Sequence, residues 1–462
     1  MSTFERKVTP IERLFTRSPF SIVTVVARII GDVSEEMLRD AARKVQQRHL
    51  NLQVRIRDDE RHDPWFTTEG AGDIPVEIVP RESADHWISV HQEASQIPFE
   101  FDARPAIRFI LVRSPAVSEL IILCHHILCD GMSLAYLARD LMAHLGDPAR
   151  EATPLPEPAP IDLDNMPAQL KLNGIAQFFI NRMNKKWAAQ RVFFDQADYL
   201  ALSAAYWSTF RHRMLSVELT EAQTTTLVER CRAEEVTVNS ALAAAIVGAQ
   251  VAIQGEKPYH STTAVAASLR DRLPKPAGEA MGFFAGIVTL KRGYDAKRSF
   301  WDNARTFHRK LKPLFTSKNL FADFLSWCYL DPSILEAINF KRLGGLVPPA
   351  SPRYEKLSAF SRRDDVVQSL LARGKMDSLD TIATGAGITN LTRLDFPRNY
   401  GALELDRLFM HPGGAFPLST INLVLGAVTC AGKLSLVLEY AEEAVDTETM
   451  ASIRDRAMEY LL

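Results

Sequence analysis

Between Pro148 and Pro167 the chain places six prolines and few large apolar residues. This stretch limits what the rest can fold into. Proline fixes φ and has no backbone N–H to donate, so a segment of this composition builds neither a helix nor an inner strand. It reads as a linker or a surface strap and sets a boundary near residue 165. On both sides of it strand-like and helix-like segments alternate, and no internal repeat is visible. The chain has 462 residues, too many for one ordinary core. The expectation is an α/β (α+β) protein of two lobes of comparable size with mixed sheets, residues 1–165 forming the first and 166–462 the second.

Local signals fill in the lobes. Thr9, Pro10 and Glu12 form a capping box with a first-turn proline, and Ser34 caps a helix with Leu38, Ala41, Ala42 and Val45 on its apolar face. The segments 21–30, 50–56, 106–112 and 118–126 read as strands, the last two as a hairpin. A helix follows Gly131, with Leu134, Leu137, Ala138, Leu141 and Leu145 on one side. In the second part, 211–219, 261–269, 283–290, 387–396, 419–430 and 433–441 read as strands. Thr220 and Gln223 open a helix through Cys231, another runs over 239–254, two longer ones occupy 299–340, and a last one closes the chain. The glycine pair in "TGAG", 384–387, reads as a turn.

A net charge of −2 gives no basic excess for nucleic acid and no acidic excess for disorder. The N-terminal segment carries charges where a signal peptide needs its apolar core. The longest apolar run, 240–253, is too short to span a bilayer and reads as a buried helix. Five scattered cysteines without a CxxC pair fit a reducing cytoplasm.

The chemistry concentrates in "CHHILCDGMSL", residues 124–134. Successive strand side chains point to opposite faces. If the strand reaches that far, His126 shares a face with Leu120, Ile122 and Cys124, and His125 shares the other with Glu119, Ile121 and Leu123. One histidine can then work while its neighbour braces the strand end. A neutral imidazole accepts a proton near pH 7 and could deprotonate a hydroxyl or amine attacking a carbonyl or thioester. Asp130 could orient an imidazole, cap the following helix or pair with a distant arginine. Gly131 permits backbone angles that other residues avoid. A metal site built from Cys124, His125, His126, Cys129 and Asp130 matches no zinc ribbon or HExxH spacing. Histidines satisfied by the backbone are the purely structural alternative. No GxSxG elbow, Walker sequence or GxGxxG fingerprint competes.

His125-His126-Ile127-Leu128-Cys129-Asp130-Gly131 resembles the HHxxxDG motif of the superfamily that holds nonribosomal peptide synthetase condensation domains and carnitine and chloramphenicol acyltransferases. "SLRDRLPKPAGEAMGFFAGIVTL" is similar to the family's arginine-bearing strand and the G-F-F strand after it. "ITNLTRLDFPRNYGALELDRLFM" is similar to its late S/T-N-L-G strand. The resemblance covers nearly the whole chain. It implies two chloramphenicol-acetyltransferase-like lobes in a V around a central tunnel, with His126 as general base and His125 as structural neighbour. Asp130 would turn from the site into a salt bridge with Arg270, or as second choice Arg272. Gly131 would let the loop approach the thioester arm. Asn390 is a candidate for the tunnel wall, and Thr392 stands where the family commonly has glycine.

The implied activity is transfer of an acyl group from a thioester to a hydroxyl or amine in natural-product or lipid biosynthesis. The donor is acyl-CoA or a phosphopantetheinyl carrier protein; no permanent cofactor, metal, nucleic acid or transmembrane segment is expected. The chain looks more like the stand-alone, polyketide-associated acyltransferases than an excised synthetase module. The alternatives are a stand-alone condensation domain forming an amide and a non-catalytic binding protein of the same fold. The helix over 171–192, with Lys171, Arg182, Lys185, Lys186 and Arg191 beside Leu172, Ile175, Phe179 and Met183, reads as a packed surface helix. A membrane-lying or lipid-receiving helix is the alternative.

Overall fold

The computed structural model describes residues 3–374, 376, 379, 382, 384–413 and 421–462. Two six-stranded sheets organise it, and both are mixed. The first runs in the order Asn399–Tyr400, Leu403–His411, Ile22–Ile30, Val117–His125, Ile107–Arg113, Val76–Pro80. Only the last pair is parallel. The second runs Ala285–Lys291, Thr262–Ser268, Thr384–Leu394, Ile421–Cys430, Lys433–Ala441, His212–Glu218, with Thr384–Leu394 parallel to both of its neighbours. The strand Leu403–His411 comes from the far end of the chain and pairs with Ile22–Ile30, so the first sheet is completed by residues well beyond the proline-rich segment.

The central strands read as near-continuous apolar runs because both of their faces are covered. Ile22–Ile30 is buried along nearly its whole length. Ala285–Lys291, an edge strand, alternates between covered and exposed residues. Each sheet has its own apolar core. A third core, built from helices and the loops between them, gathers Trp187, Leu202, Tyr206, Ile334, Phe340 and Leu371.

The expected caps form. Thr9 and Glu12 exchange both capping hydrogen bonds, as do Thr220 and Gln223, and Ser34 caps Glu35–Arg48. The proline-rich segment lies along the surface. Leu155 N donates to the Arg48 carbonyl, and the Asn165 amide ties back to the carbonyls of Ala159 and Pro160. The helix Val238–Gln254 is buried over residues 240–250, and no single helix among the described residues is long and apolar enough to cross a membrane.

Four expectations change. Residues 50–56 do not form one strand: Leu50–Leu52 is a 3₁₀ turn, held by the Asn51 amide on the Met281 carbonyl, and pairing starts at Arg55. "TGAG" opens a strand instead of a turn. A side chain at Gly385 would meet the Tyr259 carbonyl and the His260 backbone at 3.0 Å, so the glycine serves close approach. The two helices expected over 299–340 break into Phe300–Leu311, Ser317–Leu320, Ala322–Tyr329 and Pro332–Leu343, as Pro313 and Pro332 dictate. The helix expected over 171–192 spans Gly174–Ala188 and buries only Trp187.

Candidate active site

The strand Val117–His125 ends one residue short of His126. His125 still pairs opposite Ile22, and His126 N makes a last bond to the Ser21 carbonyl before the chain turns. The two rings then part, as alternation requires. The His125 ring is fully buried, edge-on to Phe99 and Phe101. Its Nε2–H donates to the Ser18 carbonyl at 2.9 Å, and its Nδ1 accepts from Ile127 N at 3.3 Å. Both nitrogens are thus engaged in the neutral form, and burial pushes the pKa down to about 3. The Ser18 carbonyl is aimed by Arg17, a buried residue at φ 57° held by Asp58 and Glu336.

His126 faces the other way and is half-buried. Its ring packs against Phe15 (5.3 Å between centroids) and Phe283 (5.6 Å), so residues packed on the first and on the second apolar core flank it. Nδ1 lies 3.1 Å from the Cys129 carbonyl. A carbonyl only accepts, so Nδ1 carries the hydrogen and Nε2 is the nitrogen that takes a proton. Burial lowers the pKa; the Cys129 carbonyl, the Asp130 charge and the Pro412 carbonyl oppose it. The ring is therefore neutral at pH 7, in surroundings that support its protonated form.

Asp130 turns away from His126 and caps the helix Gly131–Gly146. Its Oδ1 accepts from Ser133 N (2.7 Å), Ser133 Oγ (2.8 Å) and Arg270 Nη2 (2.9 Å), and its Oδ2 accepts from Phe284 N (3.0 Å). Arg270 also donates to the carbonyls of Gly278 and Ala280 and to Ser133 Oγ. The pair is buried on both sides. It ties the motif loop to the segment that leads into the second sheet, and Arg270, not Arg272, is the partner.

Gly131 does not use a glycine-only backbone. It starts a regular helix, and what it supplies is space: a Cβ there would lie 2.7 Å from Met410 Cε and 3.0 Å from Leu391 Cδ2. Asn390 is half-buried, beside a bulge in its strand, and its Oδ1 accepts from Thr392 N at 2.7 Å. Thr392 sits at φ 63°, so the position where the family commonly carries glycine has a left-handed backbone.

Sequence reading missed Ser133, which joins the aspartate, the arginine and the Gly282 backbone. Its place three residues after an N-cap aspartate was the available signal. It also missed a buried cluster drawn from five elements. Glu439 lies between His212 (3.0 Å) and His411 (3.3 Å); the Tyr206 hydroxyl meets His212, and the His91 ring meets His411. Burial opposes ionisation of Glu439, but His411 and His212 overcome it and hold the pKa at about 2. The field of Glu439 reaches His126. Burial keeps the Cys129 thiol protonated, and no grouping of three or more His, Cys, Asp or Glu among the described residues is placed to hold a metal ion.

The class defined by this fold and loop agrees with comparison to known proteins. Residues 6–159 match the condensation domain, and residues 208–312 match the phthiocerol/phthiodiolone dimycocerosyl transferase C-terminus. The nonribosomal peptide synthetase agiA of Aspergillus flavus is 26% identical over 134 residues, 28% of this chain and 2% of that protein. A linear gramicidin synthase of Brevibacillus parabrevis is 27% identical over 148 residues, 30% of this chain and 3% of that protein. The chain thus matches only a small part of the length of these curated relatives. Among solved structures, the TRI3 trichothecene 15-O-acetyltransferase of Fusarium sporotrichioides superposes with a TM-score of 0.62 at 13% identity, covering 100% of this chain and 96% of that one. Polyketide synthase associated protein 5 of Mycobacterium tuberculosis superposes with a TM-score of 0.59 at 15% identity, covering 99% and 97%. These structural likenesses establish the fold. With the two family matches, which cover separate parts of the chain, and the HHxxxDG loop, the chain is similar to condensation domains in its first part and to the acyltransferase C-terminus in its second.

Proposed function

We propose that the protein transfers an acyl group from a thioester, acyl-CoA or an acyl-loaded phosphopantetheinyl carrier protein, to the hydroxyl or amine of a small acceptor. The observation that carries this reading is the ring of His126: neutral, half-buried between Phe15 and Phe283, its tautomer fixed by the Cys129 carbonyl. As the acceptor oxygen or nitrogen attacks the thioester carbonyl, its proton passes to Nε2. The tetrahedral intermediate expels the thiolate, which takes the proton back and leaves as a thiol. The carbonyls of Cys129 and Pro412 favour the imidazolium that exists between the two transfers. His125 braces the strand end, Asp130 and Arg270 anchor the loop, Gly131 lets the helix start close under Met410 and Leu391, and Asn390 lines the tunnel. Residues 1–165 and 166–462 are the two lobes around that tunnel, with 399–411 lent by the second to the first sheet. A condensation reaction giving an amide is the same chemistry with an amine acceptor. The five unpaired cysteines suit a reducing cytoplasm.

The test offers acyl-CoA and acyl-carrier thioesters to the protein and follows thiol release and acyl products by mass spectrometry. His126→Ala should lower the rate by about 100- to 10,000-fold while circular dichroism and thermal unfolding stay unchanged. A folded variant that transfers at the wild-type rate would falsify the general-base role.

A further inference from the structure

The helix Gly174–Ala188 is fastened on one side only. Asn184 bonds the Tyr329 carbonyl and the Asp331 amide, Trp187 Nε1 donates to Ser333 Oγ, and Ile180 and Met183 pack on the helical core. The opposite side carries three large apolar residues in the open: Ile175 at 73% exposure, Phe178 at 63% and Phe179 at 52%, the two phenyl rings edge to face at 5.7 Å. Single exposed apolar side chains are ordinary, but three adjoining ones on one helix face mark an interaction surface. The same side continues into Arg182, Lys185 and Lys186, with Lys171 just before the helix. All four are exposed, and none makes an ion pair among the described residues. Between Asp164 and Asp195 there is no acidic residue, although the chain as a whole has a net charge of −2.

We infer that this face seats on an anionic lipid bilayer. Apolar side chains followed by cations on one face of a helix that lies along the surface are what an interfacial helix needs: the rings enter the acyl boundary, and the cations meet headgroup phosphates. These side chains project into the open, Ile175, Phe178 and Phe179 each being more than half exposed. A protein partner would have to bring a matching groove, whereas a bilayer accommodates a ridge of any outline. The charge bias, opposite to that of the whole chain, selects an anionic surface. The seat also lies near the chemistry. The helix Ala322–Tyr329 packs against it, and Phe324 of that helix meets Phe283, which faces His126. The docking does not depend on the proposed reaction.

Vesicle co-sedimentation of the full chain tests this, with phosphatidylcholine alone and with phosphatidylcholine mixed with phosphatidylglycerol. The wild type should sediment with the mixed vesicles in a salt-sensitive way and much less with the neutral ones. Each cation near the surface is worth about fivefold in affinity, so Lys185→Ser with Lys186→Ser should weaken binding about 25-fold. Phe178→Ser with Phe179→Ser should weaken it by about tenfold or more for each ring. Circular dichroism should be unchanged in both, since the residues are exposed. Absence of wild-type binding, or binding that survives both pairs of changes, overturns the inference. So does capture of an acidic carrier protein through the same residues when the vesicles are not bound.

Discussion

Disrupting the Asp130–Arg270 pair is the most discriminating perturbation of the motif loop. Asp130 is buried and accepts four hydrogen bonds, while Arg270 keeps two carbonyls and one hydroxyl even without it. Asp130→Ala removes a helix cap, worth about 1 kcal/mol, and leaves Phe284 N without an acceptor, about 1–3 kcal/mol. It also leaves a buried guanidinium unpaired, about 3–5 kcal/mol, toward the low end because three of its partners remain. That sum approaches the whole stability of many proteins, about 5–15 kcal/mol, so milder changes give the cleaner measurement. Asp130→Asn keeps the size and one oxygen for the cap; Arg270→Gln keeps much of the stem. Each should cost about 3 kcal/mol, and the double variant about 4 instead of 6, because one interaction is lost in both.

Urea unfolding followed by tryptophan fluorescence and by far-ultraviolet circular dichroism measures all four corners of this cycle. A coupling of about 2 kcal/mol is expected. Losses that add to within about 0.5 kcal/mol would show that the two side chains do not share an interaction. The same variants separate anchoring from catalysis. As an anchor, Asp130→Asn lowers stability, and transfer falls only through loss of the folded population. If Asp130→Asn slowed transfer strongly at unchanged stability, Asp130 would be acting on His126, and the anchor reading would be wrong.

Other outcomes follow from the same geometry. With the pKa of His126 lowered, the transfer rate should be flat around pH 7 and fall only in acid, along a limb below the ordinary histidine value of about 6.5; a limb centred above that value contradicts the burial argument. Glu439→Gln removes a charge that favours protonated His126, so nuclear magnetic resonance titration should find the His126 pKa lower still, and a rise would exclude that coupling. His125 binds its proton at about 3 when folded and near 6.5 when unfolded, so the stability it contributes is full above pH 6.5 and is lost as pH falls toward 3, by up to about 4–5 kcal/mol. Chemical denaturation at successive pH values, with His125→Gln as reference, reads that slope. Gly131→Ala should cost about 1–2 kcal/mol by crowding Met410 and Leu391, read as a lower Tm. Thr392→Gly should raise stability by about 0.5–1 kcal/mol, since a β-branched residue is held at φ 63°; a loss would mean that the threonine side chain contributes more than its strain.

What was legible in the sequence was what is encoded locally. The capping boxes at Thr9 and Thr220, the proline-rich strap after Pro148 and the opposite facing of His125 and His126 each follow from residues within a few positions of one another. The HHxxxDG loop was legible because a strand end, a turn and a helix cap lie inside one heptapeptide. The glycines were misread for a consistent reason. Gly131 and Gly385 are needed for space against Met410 and against the Tyr259–His260 backbone, and space against a distant segment leaves no trace in the local sequence. The position that does need a left-handed backbone carries Thr392, which hides the requirement.

The long-range polar contacts were illegible for the same reason. Arg17 meets Glu336 across more than three hundred residues, and the cluster around Glu439 is assembled from Tyr206, His212, His411 and His91 on separate elements. These contacts bear on the chemistry through backbone carbonyls. Arg17 turns the chain so that the Ser18 carbonyl holds His125, and His411, on Glu439, immediately precedes Pro412, whose carbonyl bears on His126. The two adjacent histidines are therefore set from opposite sides: one by an arginine at the start of the chain, the other by a carboxylate near its end. A substitution at Arg17 or Glu439 should alter the motif histidines while touching neither ring. That is why the motif alone marks His126 as the proposed base but does not determine its pKa.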